Sequence, residues 1–485
     1  MQLFAYEKLA RPPVEIPSTM PGLLPDGVSA LGKAPSAHRC METVFHTGVS
    51  WRALFARPGF PFLFAAMFIS LFGTGMNYAG VTWYILEHTN STVSVSLMII
   101  LVTLPGLIVP AFGGVLIDRV DRRYLGIVLD LVRGLLVLST AGLLFWGVGQ
   151  LWHIYAMITL LGVGAAIYWS TMNALLQEVA LDHDGGDAGT GQLAGANAAI
   201  LIAVQGGMMS AGALVGFLYE HTGIAGILAI DGATYFASAL CLALLREGYF
   251  VPHRHEPPPT IEAPPGPPAE AAEPPVLPAI VEPGLVTAFT ADLQEGLAYL
   301  RQQPRVFALG LTFACMMAGV ISANVLVVVL ARDVLQSGPR GYGFIEAGWA
   351  TGAVLGGLLT GALVKRFPAT GVLLTALVTL AVGHALFPYV GMLLAAVVMN
   401  AVFGACRALA GVLTQTSIMS TVPRRLMGRT QSAFGVISTL LQIAMSFSLG
   451  WLAQHVNLPV AFGVLGLMYA GAAAAAWHAR SLGPP

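Results

Sequence analysis

Apolar residues gather into twelve long runs separated by short polar breaks. A helix needs about 20 apolar residues to cross a bilayer. With that window the chain predicts spans at 61–86, 94–117, 124–147, 151–175, 193–219 and 223–246. After a gap, six more follow at 305–331, 341–364, 369–389, 391–417, 428–453 and 458–478. Connections as short as Val148 to Gln150 force neighbouring spans to run antiparallel. The pattern predicts an all-α integral membrane protein, with twelve transmembrane helices in two six-helix pseudo-symmetric halves. The expected divisions are a tail (1–58), a first half (59–247), a linker (248–304), a second half (305–479) and a short end (480–485).

The gap has its own pattern. Residues 252–285 hold twelve prolines in 34 positions, a composition that cannot build a packed core and predicts a solvated, semi-rigid tether. From Leu285 to Gln303, Leu285, Phe289, Leu293, Leu297 and Leu300 recur every three or four residues. That spacing predicts an amphipathic helix at the membrane surface, before Pro304 opens the seventh span. The first 40 residues are rich in Pro and Gly and carry no signal-peptide core. The tail is expected to be disordered, and because Met41 begins a second plausible start, residues 1–40 are expected to be either a dispensable tail or no part of the native protein.

Charge fixes the expected orientation. With both termini inside, the inner loops, span ends and tails hold 19 Lys/Arg and the outer loops only Arg332 and Arg340. This bias places both termini in the cytoplasm. Only 10% of residues are charged, against about 25% in soluble proteins. Mean hydropathy is +0.75. Four scattered cysteines show no metal or disulfide spacing, and no nucleophile triad or phosphate loop stands out, so neither an enzyme nor a cofactor is expected.

One turn gathers five charges in six residues: Asp118, Arg119, Asp121, Arg122 and Arg123 follow Gly113 and Gly114. A weaker copy lies 243 residues later, where Gly356, Gly357, Leu359, Lys365 and Arg366 align with Gly113, Gly114, Leu116, Arg122 and Arg123. Asp118 has no counterpart, because Gly361 stands there. The repeat implies two related halves that are not equivalent.

The six-plus-six arrangement and the pattern Gly-x-Leu-x-Asp-Arg-x-x-Arg-Arg at Gly114 to Arg123 resemble the major facilitator superfamily. Asp130-Leu131-Val132-Arg133, the segment Phe289 to Arg301, and Val422 to Arg429 are similar to its branch of enterobactin exporters and macrolide efflux proteins. The resemblance covers about residues 50–480. It implies a conformational gate at Gly114, Asp118, Arg119, Arg122 and Arg123. Two features depart from the family. Thr74 stands where members often carry a first-span acid, and the fifth-span antiporter motif reads Gly212-Ala213-Leu214-Val215-Gly216-Phe217.

Ionisable residues inside spans are costly and mark function. The coupling candidates are Glu346, Asp231, Asp130, Arg133 and Arg407, with Glu346 the first choice for protonation. Asp130 and Arg133 lie three apart and can pair on one helix face. They and Asp231 fall in spans that the resemblance makes peripheral. The cavity walls implied by the fold (spans one, four, seven and ten) bring Asn77, Tyr78, Tyr168, Trp169, Asn324 and Asn400, with Thr74 and Asn173. This mixed, mostly neutral set suits a small amphipathic cargo. The expectation is a monomeric, proton-driven exporter of drug- or siderophore-like compounds in a bacterial plasma (inner) membrane, binding no nucleic acid. The competing expectations are a lipid or lysophospholipid transporter and a non-transporting scaffold or sensor.

Overall fold

A computed structural model describes residues 54–57, 59–109, 120–180, 188–245 and 285–482. Regular structure among them is helical throughout. The first half comprises α1 (Phe60–Thr89), α2 (Thr92–Thr103, continued by the turn Pro105–Ile108), α3 (Arg122–Phe145) and α4 (Leu151–Ala180). The helix Ala188–Leu244 breaks at Gly223, whose φ of 63° no ordinary helix contains, and so forms α5 (188–222) and α6 (224–244). The linker helix Leu285–Gln302 follows. The second half comprises α7 (Pro304–Val329), α8 (Gly338–Arg366), α9 (Ala369–Leu386), α10 (Leu393–Thr421), α11 (Arg424–His455) and α12 (Leu458–Ser481). A π-helical turn, Leu330–Val334, extends α7.

The predicted spans and the observed helices coincide in number and order. Their ends differ because hydropathy marks only the apolar part of a helix. Backbone hydrogen bonding carries α4 and α11 past their apolar windows, to Ala180 and back to Arg424. Ten stretches reach span length and hydropathy. The apolar helix Thr92–Ile108 is shorter, and the run Leu214–Leu244 straddles the break at Gly223.

Alternating helices place the starts of α1, α3, α5, α7, α9 and α11 on one side, here the terminal side. Their far ends define the distal side. The two halves share one hydrophobic core on the distal side, joining Met76, Trp83 and Ile85 of α1 to Val325, Leu326 and Leu330 around the end of α7. On the terminal side the described residues form separate cores. One gathers Phe60, Leu63, Met172, Leu175 and Ala203 of the first half. The other gathers Leu300, Val306, Ile418 and Phe434 of the second half and its linker helix. The linker helix is bound to α11 through the ion pair of Glu295 with Arg429 and through Gly296, which lies against the Arg429 carbonyl.

Two helix pairs carry most of the seam between the halves: α5 with α8, and α2 with α11. At the first, backbones touch. A methyl group on Gly216 would lie 2.3 Å from the Pro339 carbonyl oxygen, and one on Gly343 would lie 2.7 Å from that of Gly212. Small residues permit such approach without a side chain between the helices. Arg340 of α8 closes the same seam on Glu220 of α5 at 2.6 Å. At the second, Gln454 Oε1 accepts from Ser91 Oγ (2.8 Å) and from the Val93 amide (3.0 Å). Gln442 Nε2 donates to Thr103 Oγ1 at 2.8 Å.

Candidate functional site

The first half encloses a buried polar network. Asp130 and Arg133 on α3 form the ion pair their spacing predicts, and Ser238 of α6 donates to the other Asp130 oxygen at 2.7 Å. The Arg133 guanidinium lies over two aromatic faces, 4.0 Å from the Tyr168 ring and 4.6 Å from the Tyr235 ring. On α6, Asp231 is fully buried. One of its oxygens accepts from Asn77 Nδ2 at 2.6 Å. The other has no hydrogen-bond partner among the described residues. Thr74 joins the network through Tyr235, 3.1 Å between hydroxyls. Space for Asp231 comes from Gly73, where a methyl group would meet the free oxygen at 2.5 Å.

A cavity of about 120 Å³ opens beside this network. Its walls include Thr74, Asn77, Tyr78, Tyr168 and Trp169, with Arg133 and Tyr235 at the network side. Four of the six sequence-named cavity residues therefore share one pocket. Asn324 of α7 reaches it across the midline, 3.4 Å from the Tyr78 hydroxyl. Asn400 is 4% exposed and gives its amide to the Ile345 carbonyl at 2.8 Å, so it clamps α10 to α8. Asn173 is exposed.

Asp130, Arg133 and Asp231 differ from the sequence expectation in one respect. Spans three and six are read as peripheral, yet Arg133 is part of the cavity wall and Asp231 bonds to α1. The reason is the small face of the neighbouring helices. A methyl group on Gly164 of α4 would crowd the Arg133 side chain at 3.1 Å, so the bare glycine lets Arg133 lie against α4. Tyr235 and Ser238 are the participants that sequence reading missed. Both lie on the Asp231 face of α6, at four and seven residues beyond it, which is a legible helical stripe.

In the second half, Glu346 is half-buried on α8 at the α5 seam, next to Gly212. It makes no hydrogen bond or ion pair among the described residues. Arg407 of α10 is half-buried too. Among the described residues it reaches only the Met317 sulfur, at 3.4 Å, and its Nε has no partner. The two do not pair, as their depths in the sequence predict. His384 bonds the Leu380 carbonyl at 2.8 Å and stacks on Phe403, a packing role. Of the expected gate, Gly114, Asp118 and Arg119 lie outside the described residues. Arg122 pairs with Glu178 at the end of α4, and Arg123 bonds the Leu242 carbonyl (2.9 Å) and that of Ala243 at the end of α6. These two arginines tie the start of α3 to its own half.

Two six-helix halves that meet distally, part on the terminal side and enclose polar groups at mid-depth define a multi-pass membrane transporter. The chain belongs to the Major Facilitator Superfamily, whose sequence model matches residues 63–435. It is 23% identical over 424 residues to the multidrug efflux pump Tap of Mycolicibacterium fortuitum, covering 87% of this chain and 90% of that one. It is 23% identical over 308 residues to macrolide efflux protein A of Streptococcus pyogenes, covering 62% and 65%. The nucleoside transporter NupG, as its D323A mutant, shares the fold with a TM-score of 0.64 at 13% identity, covering 87% and 99%.

Proposed function

We propose that the protein is a proton-driven exporter of amphipathic organic compounds, working as a monomer by alternating access in a bacterial plasma membrane. Both termini would face the cytoplasm, as the Lys/Arg bias favours. The observation that carries the reading is the division of the hydrophobic core. Among the described residues it is shared distally and split on the terminal side, which fits one end state of two rocking halves. In that state the cavity would be open to the cytoplasm and ready to load. The aromatic, weakly polar walls suit an amphipathic cargo. Efflux activity of the named relatives supports the direction. The loop carrying Asp118 would latch the opposite state, as the family resemblance implies.

Liposomes holding the purified protein and an imposed pH gradient test the proposal. Erythromycin or ethidium is expected to accumulate against its gradient while the pH gradient runs down faster than in protein-free vesicles. Lipid exchange without drug movement would favour a lipid transporter. No flux with any compound across a broad panel would favour a scaffold. Either outcome contradicts the proposal.

A further inference from the structure

We propose that Asp231 is the site of the transported proton, and that it shares the single guanidinium of Arg133 with Asp130. The inference deepens the proton-driven reading by assigning its site, and its first test does not depend on that reading.

The argument starts from a charge count. Among the described residues the network holds two carboxylates, Asp130 and Asp231, and one cation, Arg133. Both acids are fully buried, and Arg133 is 5% exposed. The groups facing Asp231 are Asn77 from α1, Arg133 from α3, and Thr234 and Tyr235 from its own helix. None of these adds a second positive charge. With both acids ionised, the site would bury one uncompensated negative charge inside the membrane, which is strongly unfavourable. One bound proton makes the network neutral.

Geometry selects where the proton resides. Asp130 has both oxygens engaged, one by Arg133 and one by the Ser238 hydroxyl. Asp231 has one oxygen on Asn77 and one without a partner. A carboxylic acid needs one oxygen to accept and one to carry hydrogen, and Asp231 offers that arrangement. Asp130 is held as the ionised partner.

The release step then follows. The Asp231 O–H bond breaks, and the proton reaches water in the adjoining cavity past Asn77, which bonds Asp231 and lines the cavity wall. The new carboxylate competes with Asp130 for Arg133. Because Arg133 is also a cavity wall, its shift changes the surface presented to cargo. Proton and cargo are thereby coupled through one side chain.

Infrared spectroscopy of the purified protein tests the charge count without any cargo. All proteins carry Glu346→Gln, which removes the other carboxylate at mid-span, and each is checked for a monodisperse folded state. The parent is expected to show a carboxylic-acid carbonyl band that shifts in D2O. Asp231→Asn should lose it. Asp130→Asn should lose it as well, because Asp231 then pairs with Arg133. The double variant Asp130→Asn/Arg133→Gln should restore it, and this near-isosteric pair carries the test if a single variant misfolds. A parent without the band, or a band persisting in Asp231→Asn or Asp130→Asn, overturns the assignment. In liposomes, Asp231→Asn should lose pH-driven accumulation of erythromycin but keep its downhill exchange. Wild-type protein that fails to accumulate erythromycin counts against the exporter reading. Wild-type accumulation that Asp231→Asn retains counts against the proton site.

Discussion

Gly216→Leu is expected to reduce transport about tenfold or more, in a protein that still inserts and folds. A Cβ at this position lies 2.3 Å from the Pro339 carbonyl oxygen and 2.5 Å from the Arg340 Cα. Both are backbone atoms of α8, so no side chain can turn aside to relieve the clash. Either α8 moves as a body or the distal seam stays apart. Overpacking of this kind costs roughly 1–3 kcal/mol. Each 1.4 kcal/mol changes an equilibrium by about tenfold. The end state closed at this seam would therefore lose most of its population. A cysteine at Tyr342, fully packed behind the same seam, should become reactive to a membrane-impermeant thiol reagent. Gly435→Leu is the control, because nothing lies within 4 Å of its Cβ position. Equal loss in both variants would show that the seam is not the cause.

A reversible lock at the other seam should give the largest effect of all. Gly450 of α11 faces Ser96 of α2, with a built Cβ 3.0 Å from the Ser96 Cβ. A disulfide prefers a Cβ separation of about 3.8 Å, so the helices need to part by less than 1 Å to form one. In a protein whose four native cysteines are replaced by serine, Ser96→Cys/Gly450→Cys should cross-link on mild oxidation. Transport should fall to the level of empty vesicles and return after dithiothreitol. Each single variant should be insensitive to oxidation. Transport that continues at full rate in the cross-linked protein would mean that α2 and α11 never separate.

The twelve segments were legible because each apolar run had to be long enough to cross a bilayer, and little else produces runs of that length. The seams were not legible in the same way. Gly212 and Gly216 stand out in sequence only as remnants of a longer motif. Their use depends on Gly343 of α8, 127 residues beyond Gly216. The packing role of the second copy of the charged turn was not legible either. Gly356 lies against Ala405 of α10 and continues a stripe with Gly348 and Gly352, so that glycine serves helix packing. Asn77 and Asn400 are the same residue type on expected cavity helices, and only contact geometry separates them. Asn77 faces the pocket and Asp231, whereas Asn400 is consumed by a carbonyl of α8. Helical spacing did predict the Asp130–Arg133 pair, a local event. The approach of Asp231 to α1 is a tertiary event, and periodicity carries no record of it.

The central claim is that the halves rock about the middle of the membrane, so that one side closes as the other opens. Spin labels in a cysteine-free protein test it directly. A distal pair at Trp146 and Tyr389 and a terminal-side pair at Tyr124 and Phe367 occupy exposed positions on opposite halves. Distances in each pair are measured by double electron–electron resonance in liposomes, before and after adding erythromycin with a shift in pH. The account predicts that the terminal-side distance shortens while the distal distance lengthens. Two distances that stay fixed, or that change together in the same direction, would contradict it.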